Sequence, residues 1–157
     1  MKRFYRWSTL WMVCAMPLLA VDRYVDRGNA TPLPPYTNGW GSAANDIQTA
    51  VEAAGAGDTV WIAPGRYTLP PAPVVDEGTN VVFINKPLTL CASGPAAETI
   101  VDGEGAYRGI LVKYLESTPQ LYRLDGLTVT NGHAADRGGG ILFNSQIYYC
   151  TGGVYNC

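Results

Sequence analysis

The chain contains one histidine, four cysteines and three methionines in 157 residues, and only 15% of it is charged. A lone His133, with no two cysteines at zinc-ribbon spacing, excludes any Cys/His metal cluster that sequence alone could define. Basic residues are sparse as well. Lys86, Arg108, Lys113, Arg123 and Arg137 are scattered and form no stripe, which excludes nucleic acid as a partner. A bilayer-spanning run is also missing, because the apolar stretch Trp7 to Ala20 falls short of the ~20 residues a transmembrane helix needs.

That stretch follows Lys2, Arg3 and Arg6, and a basic start before a short apolar run predicts a signal peptide over residues 1–20. Cleavage after Ala20 leaves Val21 as the first mature residue. Leu18 is larger than the position three before such a cut favours, and Val13-Cys14-Ala15 is the competing site. Trp11, Met12 and Val13 lack the small residues that lipidation at Cys14 requires. Removing three basic and no acidic residues changes 11 basic against 13 acidic to 8 against 13, a mature net charge of about −5. No transmembrane helix is expected after cleavage, and the product is expected to be secreted or held at the cell surface. It keeps Cys91, Cys150 and Cys157, an odd number in a compartment that permits disulfides. Cys150 and Cys157 are close enough to pair across a loop; alternatively, equivalent cysteines on neighbouring turns stack in reduced form.

What is abundant is glycine and proline, 18 and 11 residues, together with 47% hydrophobic content, which favours one turn-rich β domain. Residues 21–41, with Pro32, Pro34 and Pro35, predict an extended lead-in over the surface, anchored by Tyr24, Tyr36 and Trp40. Ile47, Ala50, Val51 and Ala54 then recur at helical spacing. Ser42 or Asn45 is the expected cap, Asp46 and Glu52 are on the polar face, and Gly55 to Gly57 end the helix. Short β-rich runs follow at 60–62, 81–84, 88–90, 99–101, 110–112, 122–124, 127–129 and 141–143. Leu127 and Val129 should point inward and Thr128 and Thr130 outward, as period-two alternation demands, and Leu88-Thr89-Leu90 repeats the device. Asn131-Gly132 suits a corner, where Asn tolerates a left-handed backbone and stacks with amides on adjacent rungs. Turns between the runs suit parallel coils of about 20–30 residues, whereas a sandwich would want hairpins.

The pattern in AANDIQTAVEAAGAGDTVWIAPGRY (43–67) resembles the N-terminal end of secreted right-handed parallel β-helix proteins of the pectin-lyase-like kind. The likeness extends through Lys86-Pro87-Leu88-Thr89-Leu90, Thr99-Ile100-Val101-Asp102-Gly103, the segment Leu124 to Gly132 and Gly138-Gly139-Gly140-Ile141, over residues 24–145. It implies an all-β, right-handed parallel β-helix (solenoid) with an N-terminal capping helix. Residues 42–157 would be its N-terminal part, incomplete at the C-terminus, since no polar helix or crossed loop follows Gly152-Gly153-Val154-Tyr155. An open last coil is expected to self-associate.

These repeat signatures are shared by lyases, polysaccharide-binding solenoids and bacterial surface adhesins, so they speak to fold and leave chemistry open. Lyases of this fold hold Ca²⁺ on carboxylates and use an Arg in proton abstraction, which makes Asp102, Glu104, Asp125 and Asp136 candidate ligands and Arg108, Arg123 and Arg137 candidate bases. Against this, Asp102-Gly103 and Asp125-Gly126 are also ordinary turn chemistry. His133 after Gly132 resembles a Gly-His pair of pectin hydrolases, but the paired-Asp and Arg-Lys motifs of that family are missing, which leaves a solvent-facing loop histidine. No close Asp-Asp pair supports a glycosidase. Gly138-Gly139-Gly140-Ile141-Leu142 and Gly152-Gly153-Val154-Tyr155 resemble the Gly-Gly-apolar repeat of polymorphic outer-membrane adhesins, though Asn144 directly follows Phe143, and glycine runs serve equally as tight corners. Trp61, Tyr67, Tyr107, Tyr114, Tyr148 and Tyr149 are candidate sugar-stacking faces, Trp61 alternatively packing under the lead-in near Trp40. No residue is assigned a catalytic, cofactor-binding or metal role. The expected function is noncatalytic binding of extracellular polysaccharide or presentation at a bacterial cell surface. The alternatives are a Ca²⁺-dependent pectate-lyase-like lyase and an autotransporter-like adhesin passenger.

Overall fold

The computed structural model of the protein describes residues 19–114, 120–145 and 150–155. The strands are β1 (Asp22–Val25), β2 (Thr59–Ile62), β3 (Gly65–Tyr67), β4 (Asn80–Ile84), β5 (Thr89–Ala92) and β6 (Thr99–Asp102), then β7 (Arg108–Tyr114), β8 (Gln120–Asp125), β9 (Thr128–Thr130), β10 (Ile141–Ser145) and β11 (Cys150–Tyr155). Among the described residues there is a single α-helix, α1 (Ile47–Ala53), which precedes β2. The strands form three sheets with the orders β1-β2-β5-β8-β11, β10-β7-β4 and β3-β6-β9, and the chain visits the three in rotation. All strand pairs are parallel. This architecture, mostly β with parallel strands in small sheets and one helix, is compatible with a β-helix-like solenoid. Thr59 pairs with Thr89 and Val82 with Ile110, so one circuit takes about 30 residues, the upper end of the spacing expected.

Alternation along each strand builds the core. Val60, Leu90 and Leu124 occupy one register column and are buried, as are Val82 and Ile110 in the second sheet and Tyr67 and Val101 in the third. Leu88, Leu90 and Leu127 are buried while Thr89, Thr128 and Thr130 are only partly covered, as the alternation predicts. Burying each such Leu, Ile or Val contributes roughly 1.5–3 kcal/mol.

The helix buries Ile47, Ala50, Val51 and Ala54 against this core, the face the periodicity predicts. Its cap is neither Ser42 nor Asn45. Asp46 occupies that position, its Oδ1 accepting from Thr49 N at 2.7 Å, while the Ser42 hydroxyl ties Asn38 to Gly39 and Asn45 donates to Asn29 O at 2.7 Å. Asp46 directly precedes the first helical residue and its two oxygens accept from the Thr49 N–H and hydroxyl, whereas the side chains of Ser42 and Asn45 are engaged in the lead-in.

The lead-in departs further from expectation. Instead of lying wholly over the surface, it contributes β1, and Val25 is fully buried in the core. Tyr24 and Trp40 meet edge to face with ring centroids 5.0 Å apart, and Tyr36 packs against the core. Trp61 is half-buried, and its register neighbour in β1 is Tyr24, the residue in contact with Trp40.

At the N-terminal end each sheet edge finds a partner. Tyr24 N donates to Tyr36 O and Ala44 N to Tyr24 O, covering β1. Gln48 of α1 accepts from Phe83 N of β4 at 2.8 Å, and Arg27 donates to Arg66 O of β3. An unpaired parallel edge is a template for another chain, and these contacts occupy it. At the other end β9, β10 and β11 stand last in their sheets. Among the described residues no helix is long and apolar enough to cross a membrane.

Candidate functional site

Three crossovers from the third sheet to the second, residues 68–79, 103–107 and 131–140, stack on one another and enclose a cleft of about 500 Å³. Glu77, Gly78 and Thr79 line it from the first crossover, Ala106, Tyr107 and Arg108 from the second, and His133 to Asp136 from the third.

Glycine permits the stacking. A Cβ on Gly132 would lie 2.1 Å from Gly139 O, and one on Gly109 would lie 2.5 Å from Val129 Cγ1 and 2.6 Å from Gly140 O. Gly109 N and Ile110 N donate to Gly139 O and Gly140 O at 2.9 Å each, and His133 N donates to Tyr107 O at 2.8 Å. Gly138 to Gly140 are therefore a tight corner, which accounts for the glycine run without any adhesin repeat.

Arg108 organises the cleft. It is 1% exposed, and all five of its N–H donors are engaged. Nε donates to Gly138 O at 3.0 Å; Nη1 donates to Glu77 O at 2.7 Å and Asn80 Oδ1 at 3.0 Å; Nη2 donates to Asp136 Oδ1 at 2.9 Å and Arg137 O at 3.1 Å. Asn80, itself buried, donates back to Asp76 O and Gly78 O at 2.9 Å each. One guanidinium thus clamps the first and third crossovers to the second. Every hydrogen a proton-abstracting role would exchange is already committed, so Arg108 serves here as structure.

The carboxylates around it are tied in the same manner. Asp136 is exposed, and its carboxyl is held below the usual range by the Arg137 backbone N–H and by Arg108. Asp76 binds Lys113 Nζ at 2.7 and 3.0 Å, which raises the lysine's pKa, and Glu77 binds Asn144 Nδ2 at 2.5 and 2.6 Å. Tyr107 and His133 supply the remaining faces; Tyr107 is half-buried, and His133 is exposed to solvent, as expected of a loop histidine.

Of the residues singled out from sequence, the fold brings Arg108, Tyr107, His133 and Asp136 into this cleft. Asp102, Glu104 and Asp125 do not line it. Asp102 is fully buried: it accepts from Glu104 N at 2.9 Å and from Asn131 Nδ2 at 3.0 Å, and it pairs with Arg66. Those hydrogen bonds, the Glu104 N–H foremost, hold its carboxyl below the ordinary range. The turn reading of Asp102-Gly103 fits this geometry, and Asn131 takes the expected left-handed backbone, φ 49°, with a neighbouring carboxylate as partner instead of an amide stack. Asp125 pairs with Arg123 at 2.5 Å, and Gly126 follows at φ 67°, again a turn. Among the described residues no group of three or more His, Cys, Asp or Glu is arranged to hold a metal ion.

Tyr67 is 2% exposed and donates to Ala63 O at 2.9 Å, so it offers no sugar-stacking face, and burial pushes its phenol up to about 12. Tyr148, Tyr149 and Cys157 lie outside the described residues, as do the side chains of Tyr114 and Cys150 and residues 1–18 of the expected signal peptide. Cys91 is a half-buried free thiol with Trp61 and Asp125 as register neighbours, so no cysteine stacks on it within its sheet, and burial pushes its pKa up.

Glu77 and Asn80 escaped sequence reasoning because a long crossover carries no periodicity; the Asp-Glu-Gly turn signal at 76–78 was the one hint. Comparison with protein-family models, with curated proteins and with solved structures gives no match to this chain.

Proposed function

We propose that the protein is a secreted or cell-surface right-handed parallel β-helix domain whose crossover cleft binds extracellular polysaccharide without cleaving it. The observation that carries this reading is the cleft itself. Tyr107 and His133 give flat faces for a sugar ring, and the exposed Asp136 carboxylate gives an acceptor for hydroxyls, on a scaffold fixed by Arg108. Counting Arg108 as the cation, Glu77 and Asp136 as anions and His133 as neutral, the lining is net acidic by one charge, which favours a neutral sugar over a polyuronate.

The lyase alternative needs an unencumbered Arg and a carboxylate-held Ca²⁺. The saturation of Arg108 and the pairing of Arg123 with Asp125 speak against two of the three candidate bases, and the commitment of Asp102 and Asp125 to turns and ion pairs speaks against the Ca²⁺ site. An adhesin passenger remains a second reading on the parallel strand ends β9, β10 and β11, which suit continued stacking.

A glycan array containing neutral and uronate polysaccharides, read alongside uronate absorbance with and without Ca²⁺, separates the three. Retention on neutral glycans without product supports the proposal. A Ca²⁺-dependent rise in unsaturated uronate supports the lyase, and retention on none of them with self-assembly supports the passenger.

A further inference from the structure

The first rung holds an ion-pair site whose second partner exists only after processing. Asp58 is 3% exposed in the Gly55–Asp58 turn ahead of β2, and its two oxygens are used differently. Oδ2 accepts from Gly55 N at 2.7 Å and from Arg23 Nε at 3.1 Å, with Arg23 Nη2 also at 3.1 Å. Oδ1 accepts from one backbone nitrogen, that of Val21, at 2.9 Å. Val21 is further fixed by its own carbonyl, which accepts from Thr59 N at 3.1 Å, so its nitrogen is presented to Asp58 by the pairing of β1 with β2. Leu19 and Ala20, immediately before, are exposed and belong to no strand.

Val21 is also the residue that cleavage after Ala20 makes the N-terminus. We propose that Asp58 is the docking site of the mature N-terminus, the Val21 α-ammonium pairing with Asp58 Oδ1 and locking the first rung once residues 1–20 are removed. The step is a hydrolysis by an export-processing peptidase. Water adds across the Ala20–Val21 amide, the C–N bond breaks, the hydroxyl goes to the Ala20 carbonyl carbon, and the proton lost by the new carboxylic acid ends on the amine. A neutral N–H donor becomes a cationic one at an oxygen already in place, and a charge-assisted bond is about twice as strong as a neutral one.

Val21 is 39% exposed, so the ammonium keeps part of its hydration and its desolvation cost is small. The charged groups around the pair are Arg23 on β1, Glu52 on α1, and Lys86, whose Nζ donates to Ala54 O at 2.8 Å. Arg23 and Lys86 balance Asp58 and Glu52, so the added cation is accommodated by direct contact with Asp58 Oδ1 and by its remaining hydration. Gaining a carboxylate partner raises the amine's folded pKa above its unfolded value of about 7.7–8.0. The stabilisation is therefore fully present below that value and lost as pH rises through the folded pKa.

The test uses the exported chain. N-terminal sequencing should give Val21; a start at another residue, such as the one after Ala15, overturns the proposal. The purified protein is then divided, and one half is acetylated at the α-amine near pH 6.5, where that amine outcompetes Lys86 and Lys113. Near pH 7 the free-amine form should unfold about 3–6 °C higher, and the gap should close as pH rises past the folded pKa. Asp58→Asn should remove the gap between the free-amine and acetylated forms. If that variant does not fold, the acetylation comparison still decides. Equal midpoints near neutral pH, or a gap that does not change with pH, would overturn the inference.

Discussion

At the scale of single residues, two buried charges, Arg108 and Asp102, tie neighbouring crossovers together. Arg108 satisfies carbonyls from crossovers about 30 positions apart in sequence, so replacing it leaves Glu77 O, Gly138 O and Arg137 O without their donor. Arg108→Met should cost about 3 kcal/mol in urea unfolding, and Arg108→Lys should recover only part of that, because an ammonium has three donors where five are used. Asp102 behaves in the opposite electrical sense. Its folded pKa lies below the ordinary 3.8, so the stability it contributes is present above that value and lost as pH falls through the folded one. Asp102→Asn should thus be less stable than the parent near neutral pH, with the two converging in the acid limb; a gap that stays constant down to the lowest pH measured would contradict the assigned ionisation. Sequence pointed to both residues as candidates, favoured the turn reading of Asp102-Gly103 and assigned neither a metal or catalytic role. What it could not show is the partners, because residue type is visible in a sequence whereas the distant carbonyls on Arg108 and the Asn131 amide on Asp102 are not.

At the scale of elements, periodicity carried the reading well where a side chain faces one neighbour. The helix face and the alternation in β2 and β5 follow from spacing, and the left-handed Asn131 from residue type, whereas β9 is half-buried throughout. Spacing failed where the determinant is an edge or a crossover. β1 was hidden in a segment whose prolines suggest surface chain, because Asp22–Val25 is short and becomes a strand only through its pairing with β2. The cleft was likewise illegible as a unit, since its lining comes from three separate crossovers that only the register brings together. The role of α1 can be checked directly. Val51 is 1% exposed, and Val51→Asp puts an unpaired carboxylate against the core, a cost of about 3–5 kcal/mol. Glu52→Gln, on the exposed face, should change little. If thermal unfolding leaves Val51→Asp equal to the parent, α1 is not the plug of the first coil.

At the scale of the whole molecule, the two ends differ. The N-terminal edges of all three sheets are occupied by Tyr36, Ala44, Gln48 and Arg27, while β9, β10 and β11 are the last strands of theirs. Growth by strand addition is therefore expected at one end only. Light scattering of the isolated chain should show association that a polar cap appended after Cys157 suppresses, and a strictly monodisperse parent would argue that residues after Phe143 close the end. The binding claim has a sharper probe. His133 is the one histidine of the chain and lines the cleft, so its imidazole protons report on that site without overlap from any other. Titrating the protein with neutral oligosaccharide, while following those protons together with the Tyr107 ring by NMR, should give a saturable shift at both residues with the sugar recovered intact. Saturable binding that leaves His133 and Tyr107 unmoved, or recovery of cleaved sugar, would contradict the account.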